Sequence, residues 1–379
     1  MNRWVVVVPA VLVACAAFVA AARPAMIFED LRSASSLGID PSTRAVGMGG
    51  AGTAVFWGDV DPWANPALLG GVRGVGYEHD HGDLAGIDLR AGRFVAGGDG
   101  VGFATSGRPV HGLGEQRIEL HGDIGGTPFS AFERVRAWSV GASLAGVCRA
   151  WAQRTGGEPP AFTRHFDVAL GYGQNAVDEG TTFGGSSATS GPAVVHDLGV
   201  LARTGWDAGR LGARRLRVDG AAGFSSHNVT NAGLQDPFST RVVPAVRQTR
   251  GGIAVRGALA APVAADDKRA WLVASLQPVV ALGLAYDPVW NEAGVSTPTQ
   301  TANEWGAELA VMNVAFARVG LATSEGTSQS TWGLGAALPL GPYGRAGYEH
   351  AHSTGDLPDQ TRDRWSAWLD PVAIWHAWR

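Results

Sequence analysis

Residues 305–312 read WGAELAVM, and residues 332–338 read WGLGAAL. In an extended chain, Trp305, Ala307, Leu309 and Val311 fall on one face of the first stretch, with Gly306, Glu308 and Ala310 on the other. In the second stretch, Trp332, Leu334, Ala336 and Leu338 share a face opposite Gly333, Gly335 and Ala337. Each reads as a β-strand with one apolar face led by a tryptophan and one small or polar face. A soluble sandwich would bury the apolar face and a membrane barrel would turn it toward lipid, so the alternation alone fits both.

Two features favour the barrel. Trp305, Trp332, Trp365, Trp368, Trp375 and Trp378 lie near expected strand ends, where amphipathic rings suit the headgroup level. Met312-Asn313 and Gly341-Pro342 read as tight connections, whereas Asp287 to Asn303 and Ser324 to Ser330 read as longer polar loops, and barrels of this kind have short turns at one rim and long loops at the other. Earlier strands are expected at Val72–His79, Ile87–Phe94, Gly100–Ser106, Val135–Ala145, His165–Tyr172, Val194–Thr204, Leu216–Ser225 and Gly252–Ala260. Gly157–Phe162 and Glu179–Ala193 read as the main irregular loops. The fold class is therefore all-β, a transmembrane antiparallel barrel of about fourteen strands, enough to close without an exposed edge.

Composition agrees. The 379 residues include 54 glycines and 14 tryptophans, and only 17% are charged, against about 25% in soluble domains. The formal net charge of -4 supplies no basic field for a nucleic-acid partner. Residues 1–22 have Arg3, an apolar run from Trp4, and Ala20 and Ala22 before Arg23, the pattern of a signal peptide for export to the outer membrane. A retained anchor, and lipidation at Cys15 within Leu12-Val13-Ala14-Cys15, are the alternative readings of the same run. Cleavage would leave Cys148 as the sole cysteine and exclude an internal disulfide framework. The uncharged stretch Ala270–Tyr286 is divided by Gln277-Pro278 and reads as two strands joined by a turn, not as a spanning helix.

Ahead of all these strands, residues 45–69 read AVGMGGAGTAVFWGDVDPWANPALL. Glycines there permit close backbone approach, and Asp61-Pro62 and Asn65-Pro66 favour turns. Such a segment cannot fold alone, but a lumen tolerates irregular backbone at membrane depth. The GMGGAGTAV run, Asp59, Asp61 and WANPALL resemble the amino-terminal pattern of FadL-type hydrophobic-compound channels and, more closely, of PorV/PorQ-type outer-membrane proteins. The run from Asn303 to Ala351, including Arg318-Val319-Gly320, resembles the last strands of PorV/PorQ-like proteins. The resemblance implies three parts: a signal peptide over 1–22, an amino-terminal segment and lumen plug over 23–71, and a barrel over 72–379. It also implies that Gly47, Met48, Gly49, Gly50 and Gly52 pack the plug against the inner wall, while Asp59, Asp61, Asn65 and Pro66 fix its turns or meet luminal arginines. PorV-like members dock exported proteins for a secretion translocon, and this is the function that the end motifs favour. FadL-like members pass hydrophobic small molecules such as fatty acids and aromatics, which is the alternative. Outer-membrane lipid is the partner common to both.

Chemistry beyond this is thin. His79 with His81, and His350 with His352, lie two apart on one strand face each, and would make a zinc or copper arrangement only if their strands met. Otherwise they are rim residues facing water. Gly58–Asn65 has too few carboxylates for a calcium loop, and turn capping explains it better. The chain has no G-x-S-x-G elbow, Walker loop or H-E-x-x-H motif, and Gly49–Gly52 lacks the strand and spacing of a dinucleotide fingerprint. The sequence thus assigns no catalytic residue, no cofactor and no metal.

Overall fold

The computed structural model describes residues 40–84, 87–106, 116–124, 126–235, 242–261, 277–292, 300–324, 326–356 and 359–378. The expected signal peptide with Cys15, and the strand expected over residues 270–276, lie outside these residues.

The wall begins with β1 (Gly74–Leu84), β2 (Ile87–Gly98), β3 (Val101–Ser106), β4 (Gln116–Ile124), β5 (Thr127–Ser143) and β6 (Phe166–Phe183). A short strand β7 (Ser186–Thr189) pairs only with the end of β6. The wall continues through β8 (Ala193–Leu211) and β9 (Arg214–His227), and β10 (Gly233–Gln235) and β11 (Val242–Pro244) then form a separate ribbon. It resumes with β12 (Arg247–Ala260), β13 (Val280–Glu292), β14 (Gln300–Val311), β15 (Ala315–Ser324), β16 (Thr327–Pro339), β17 (Gly344–Gly355) and β18 (Gln360–Leu369). Neighbours pair antiparallel, and β18 pairs with β1 from Val75↔Leu369 to Leu84↔Gln360, which closes the sheet. β3 and β4 share one place between β2 and β5, so the described strands form a closed barrel with fourteen wall positions.

Side chains alternate across this wall. Trp305, Leu309, Trp332, Leu334 and Leu338 are exposed on the outside, while Glu308, Ala310 and Ala337 are buried inside. The outer face carries an aromatic belt in which Tyr286 stacks on Trp305 with ring centroids 4.0 Å apart, and Tyr348 meets Trp365 at 4.6 Å. Beyond that belt, toward the β1–β2 and β15–β16 turns, outward positions become polar: His81, Ser330, His350, His352 and Asp363. Strands that run past the belt with polar outward side chains project into water, as the extracellular end of such barrels does. This is the outer rim. The helix Pro371–Trp378 lies at the other, inner rim, where it contacts β1 and residues 341–343.

Several expectations are corrected. Asp287 to Asn303 is not one long loop: Asp287–Glu292 extend β13 and Gln300–Asn303 open β14, with 293–299 outside the described residues. Ser324 to Ser330 is not one long loop either: Ser324 ends β15 and pairs with Thr327, and Thr327–Ser330 open β16. Glu179–Ala193 is largely a hairpin of β6 with β7, and Leu144–Thr155 is a helix that follows β5 directly. Ser143 caps that helix by accepting a hydrogen bond from the Gly146 amide, and Gly156 in the left-handed region ends it. Trp305, Trp332 and Trp365 face outward, but Trp368 shares the inward face of Arg362 and Arg364 and packs on the luminal core. Trp375 and Trp378 lie in the terminal helix, not in a strand.

The outward band predicts a depth-dependent cost for charge. Leu334→Arg should destabilise the barrel by about 2–4 kcal/mol and Ser330→Arg by about 0–1 kcal/mol, measured by reversible chemical unfolding in lipid vesicles. Equal costs would place this face in water.

Candidate functional site in the lumen

The amino-terminal segment is built from short capped turns. Ser42 accepts a hydrogen bond from the Ala45 amide and starts the helix Thr43–Gly47, which ends at Met48; Gly49 then turns the chain with φ of 66°. Asp61 Oδ1 accepts from the Trp63 amide at 3.0 Å. Asn65 caps the 3-10 helix Pro66–Gly71 by accepting from the Ala67 amide at 3.0 Å, and its side-chain amide donates to the carbonyls of Thr53 at 2.9 Å and Val200 at 3.1 Å.

The segment lies inside the ring of strands, because wall glycines meet it around most of the circumference. Gly97, Gly102, Gly141, Gly171 and Gly199 stand directly opposite one another across β2, β3, β5, β6 and β8. Gly223 pairs with Gly252, and Gly306 with Gly320. Each of these wall glycines takes segment backbone or side chain where its own side chain would be. A methyl group at Gly141 would stand 2.6 Å from the Pro66 carbonyl oxygen, one at Gly223 2.5 Å from that of Thr53, and one at Gly306 2.6 Å from that of Met48. Glycine inside a strand marks such close backbone approach. Of the expected plug glycines, Gly47 lies against Gly333, Gly49 against the backbone of Leu321 and Trp305, Gly50 against Glu304, and Gly52 against Ala64. Met48, Val55, Trp57, Leu68 and Leu69 are buried in the core that this contact makes.

Charge also fixes the segment to the wall. Arg44 bonds Glu308 at 3.1 Å, Glu308 bonds Arg318 at 2.7 Å, and Arg318 bonds Glu349 at 2.8 Å. Glu349 meets Arg364 at 2.9 Å, and Arg364 reaches Asp59 of the segment at 3.0 Å. Asp59 also pairs with Arg345. Arg93 pairs with Glu78 and, at 2.9 Å, with Asp61 of the segment. Buried charges persist only when paired and hydrogen-bonded, and here they alternate in sign from β14 to β2. Carboxylates on the wall also accept segment amides: Asp287 takes Gly52 at 2.8 Å and Thr53 at 2.6 Å, and Asp80 takes Thr43 at 3.0 Å.

The segment is closely packed within itself: the void lined by Arg44, Met48, Val55 and Asp61 holds about 10 Å³. Wider cavities open at the inner rim, one of about 380 Å³ beside Phe56, Arg345 and Trp368, and one of about 200 Å³ beside Phe56, Arg203 and Arg217. Toward the outer rim, Trp63 packs with Val135, Val177 and Val195 of the inner wall and with Leu234 and Ala245 around the β10–β11 ribbon. That cluster adjoins the shared third wall position. β2 pairs with β4 up to Arg90 and with β3 from Phe94, so no described strand partner lies beside 91–93 there.

The histidine pairs face outward, with β18 between them. His81 pairs across β18 at Asp363, and His350 Nδ1 lies 2.9 Å from the Asp363 carboxylate. No group of three or more metal-ligating side chains occurs among the described residues. Sequence reasoning put Gly306 and Glu308 on the small face but gave them no role, and it missed the other wall glycines and the inward acids Glu78 and Glu349. Their signal is one glycine or acid on the small face of successive strands.

No family model and no curated protein matches the chain. Among solved structures it is similar to the monoaromatic hydrocarbon channel CymD, at 10% identity and a TM-score of 0.42, covering 88% of this chain and 97% of that one. It is similar to a FadL homologue of Pseudomonas aeruginosa at 10% identity and a TM-score of 0.36, covering 86% and 98%. The toluene transporter TodX of Pseudomonas putida matches at 10% identity and a TM-score of 0.33, covering 85% and 95%.

The glycine contact predicts a selective defect. Gly171→Val should displace the segment and expose the bond after Arg44 to trypsin in a barrel that still migrates as folded, whereas Gly257→Val, with nothing within 4 Å, should leave Arg44 resistant. Resistance of both variants would contradict the packing described.

Proposed function

We propose that the chain is a non-enzymatic channel for hydrophobic small molecules across an outer membrane, closed at rest by residues 40–73 acting as a plug. The observation that carries this reading is the apolar cluster of Trp63, Val135, Val177 and Val195, which lies between the plug and the wall beside the interrupted pairing of β2. An apolar solute held there is shielded from water and adjoins a place where no described strand continues the ladder beside residues 91–93 of β2. Binding sites for such solutes are concave and mainly apolar. The plug contributes Trp63 to the cluster and, two residues earlier, Asp61 to the Arg93 pair at the interruption, so solute entry and plug position act on the same few residues. This is the function implied by the resemblance to FadL-type channels.

Docking of exported proteins, which the end motifs favour, calls for long loops at the outer rim. Among the described connections there, β1–β2 and β15–β16 are short, pairing to Leu84↔Ile87 and Ser324↔Thr327, whereas the stretch from His227 to Arg247 with its β10–β11 ribbon is long.

A reversible lock tests the channel. Gly47 and Gly333 face each other, and a methyl group built on Gly47 lies 3.4 Å from the Gly333 Cα, so a Gly47→Cys/Gly333→Cys pair in a Cys148→Ser background can be oxidised. Uptake of a labelled fatty acid or toluene into proteoliposomes should fall to the protein-free rate on oxidation and return on reduction. Equal uptake in both states would contradict gating by the plug, and no uptake in either, with wild type equally inactive, would contradict the channel.

A further inference from the structure

We propose that the outward face of β2, β4 and β5 at the outer rim binds the phosphate groups of a lipid A-type glycolipid. Arg90 stands directly opposite Arg117, and Arg117 directly opposite Arg134, so three arginines form one cross-strand row. Arg136 lies two residues along the same face of β5, which continues to the exposed Trp138 and Val140. Like charges directly opposite one another weaken a sheet pair, and nothing in the fold requires this row.

Acids on the same outward face pair with the row. Arg90 bonds Asp88 at 2.7 Å, Arg117 pairs with Glu119, and Arg134 and Arg136 both pair with Asp178. In these pairs four guanidinium groups share three carboxylates. His81 and His121, at 3.3 Å from Asp88 and 3.9 Å from Glu119, draw on two of the same acids. The Arg117 and Arg134 guanidinium carbons lie 5.2 and 6.0 Å from the Phe132 ring centroid, a contact that holds planar cations in place.

Position identifies the ligand. The row lies just beyond exposed Phe94 and Trp138 and the Trp138–Tyr172 ring contact, on the lipid side of the wall. Aromatic side chains of a barrel mark the headgroup level, so the arginines stand where headgroup phosphates of the outer leaflet lie. A phosphate accepts from two guanidinium forks at once, which turns the repulsion along the row into a shared contact. The inference rests on the membrane orientation of the barrel and is independent of the transport reading.

Native mass spectrometry of the full barrel, titrated with bisphosphorylated lipid A and with the same lipid after phosphate removal, tests it. The phosphorylated lipid should bind at least about tenfold more tightly to wild type. Arg90→Gln/Arg117→Gln/Arg134→Gln should lose that preference, and Arg210→Gln/Arg214→Gln, exposed residues at the inner rim, should keep it. Equal binding of the two lipids to wild type overturns the proposal, and that comparison holds whether or not the triple variant folds. An undiminished preference in a folded triple variant also overturns it.

Discussion

A backbone can lie flat against the inside of a β-barrel only where the wall has no side chain to hold it off. The row Gly97, Gly102, Gly141, Gly171 and Gly199, with the pairs Gly223–Gly252 and Gly306–Gly320, clears that space at the level of residues 47–72. The rest of the lumen follows from this contact. Met48, Leu68 and Leu69 find a core because the wall is close, and Asn65 reaches the Val200 carbonyl because Gly199 beside it has no Cβ.

The second constraint is charge in a place from which water is largely excluded. Glu78, Glu308, Arg318, Glu349 and Arg364 all point inward and are almost fully buried. Alone, any of them would be costly; arranged with Arg44, Asp59 and Asp61 they alternate in sign, and the segment supplies members at both ends of the chain of contacts. Removing the segment would leave Glu308 without Arg44 and Arg364 without Asp59. The glycine contact and the ion pairs therefore favour the same placement of residues 40–73, one through shape and the other through charge.

How far the sequence discloses this depends on the range of the signal. Alternation around Trp305 and Trp332 is local, and it suffices for the all-β class, the outward apolar face and the closed barrel. Strand ends are less legible: β5, β6 and β8 run on through Thr127, Phe183 and Leu211, because polar residues alternate outside the membrane band as readily as within it. The helix Leu144–Thr155 is hidden by the apolar residues of β5 that run straight into it. Spacing alone assigns Trp368 to the interface, but the phase set by Arg362 and Arg364 turns it inward. The glycine row is not readable, since which glycines stand opposite one another depends on register between strands far apart in the chain, as at Gly102↔Gly141. Asp59 and Asp61 are legible as turn residues, whereas their arginine partners Arg345, Arg364 and Arg93 come from distant strands.

The barrel thus has two chemically distinct surfaces. Its outside is sorted by height, apolar below the belt of Trp305, Trp332 and Trp365 and polar above it. Its inside is sorted by contact, with wall glycines against the backbone of the segment and wall charges paired with its charged side chains. Hydrogen exchange of the barrel in lipid nanodiscs tests the union of the two most directly, at the amides of Gly52 and Thr53, which donate to Asp287. The account predicts protection comparable to that of β13 and β14. Exchange as fast as in an unstructured peptide, with the strands still protected, would contradict it.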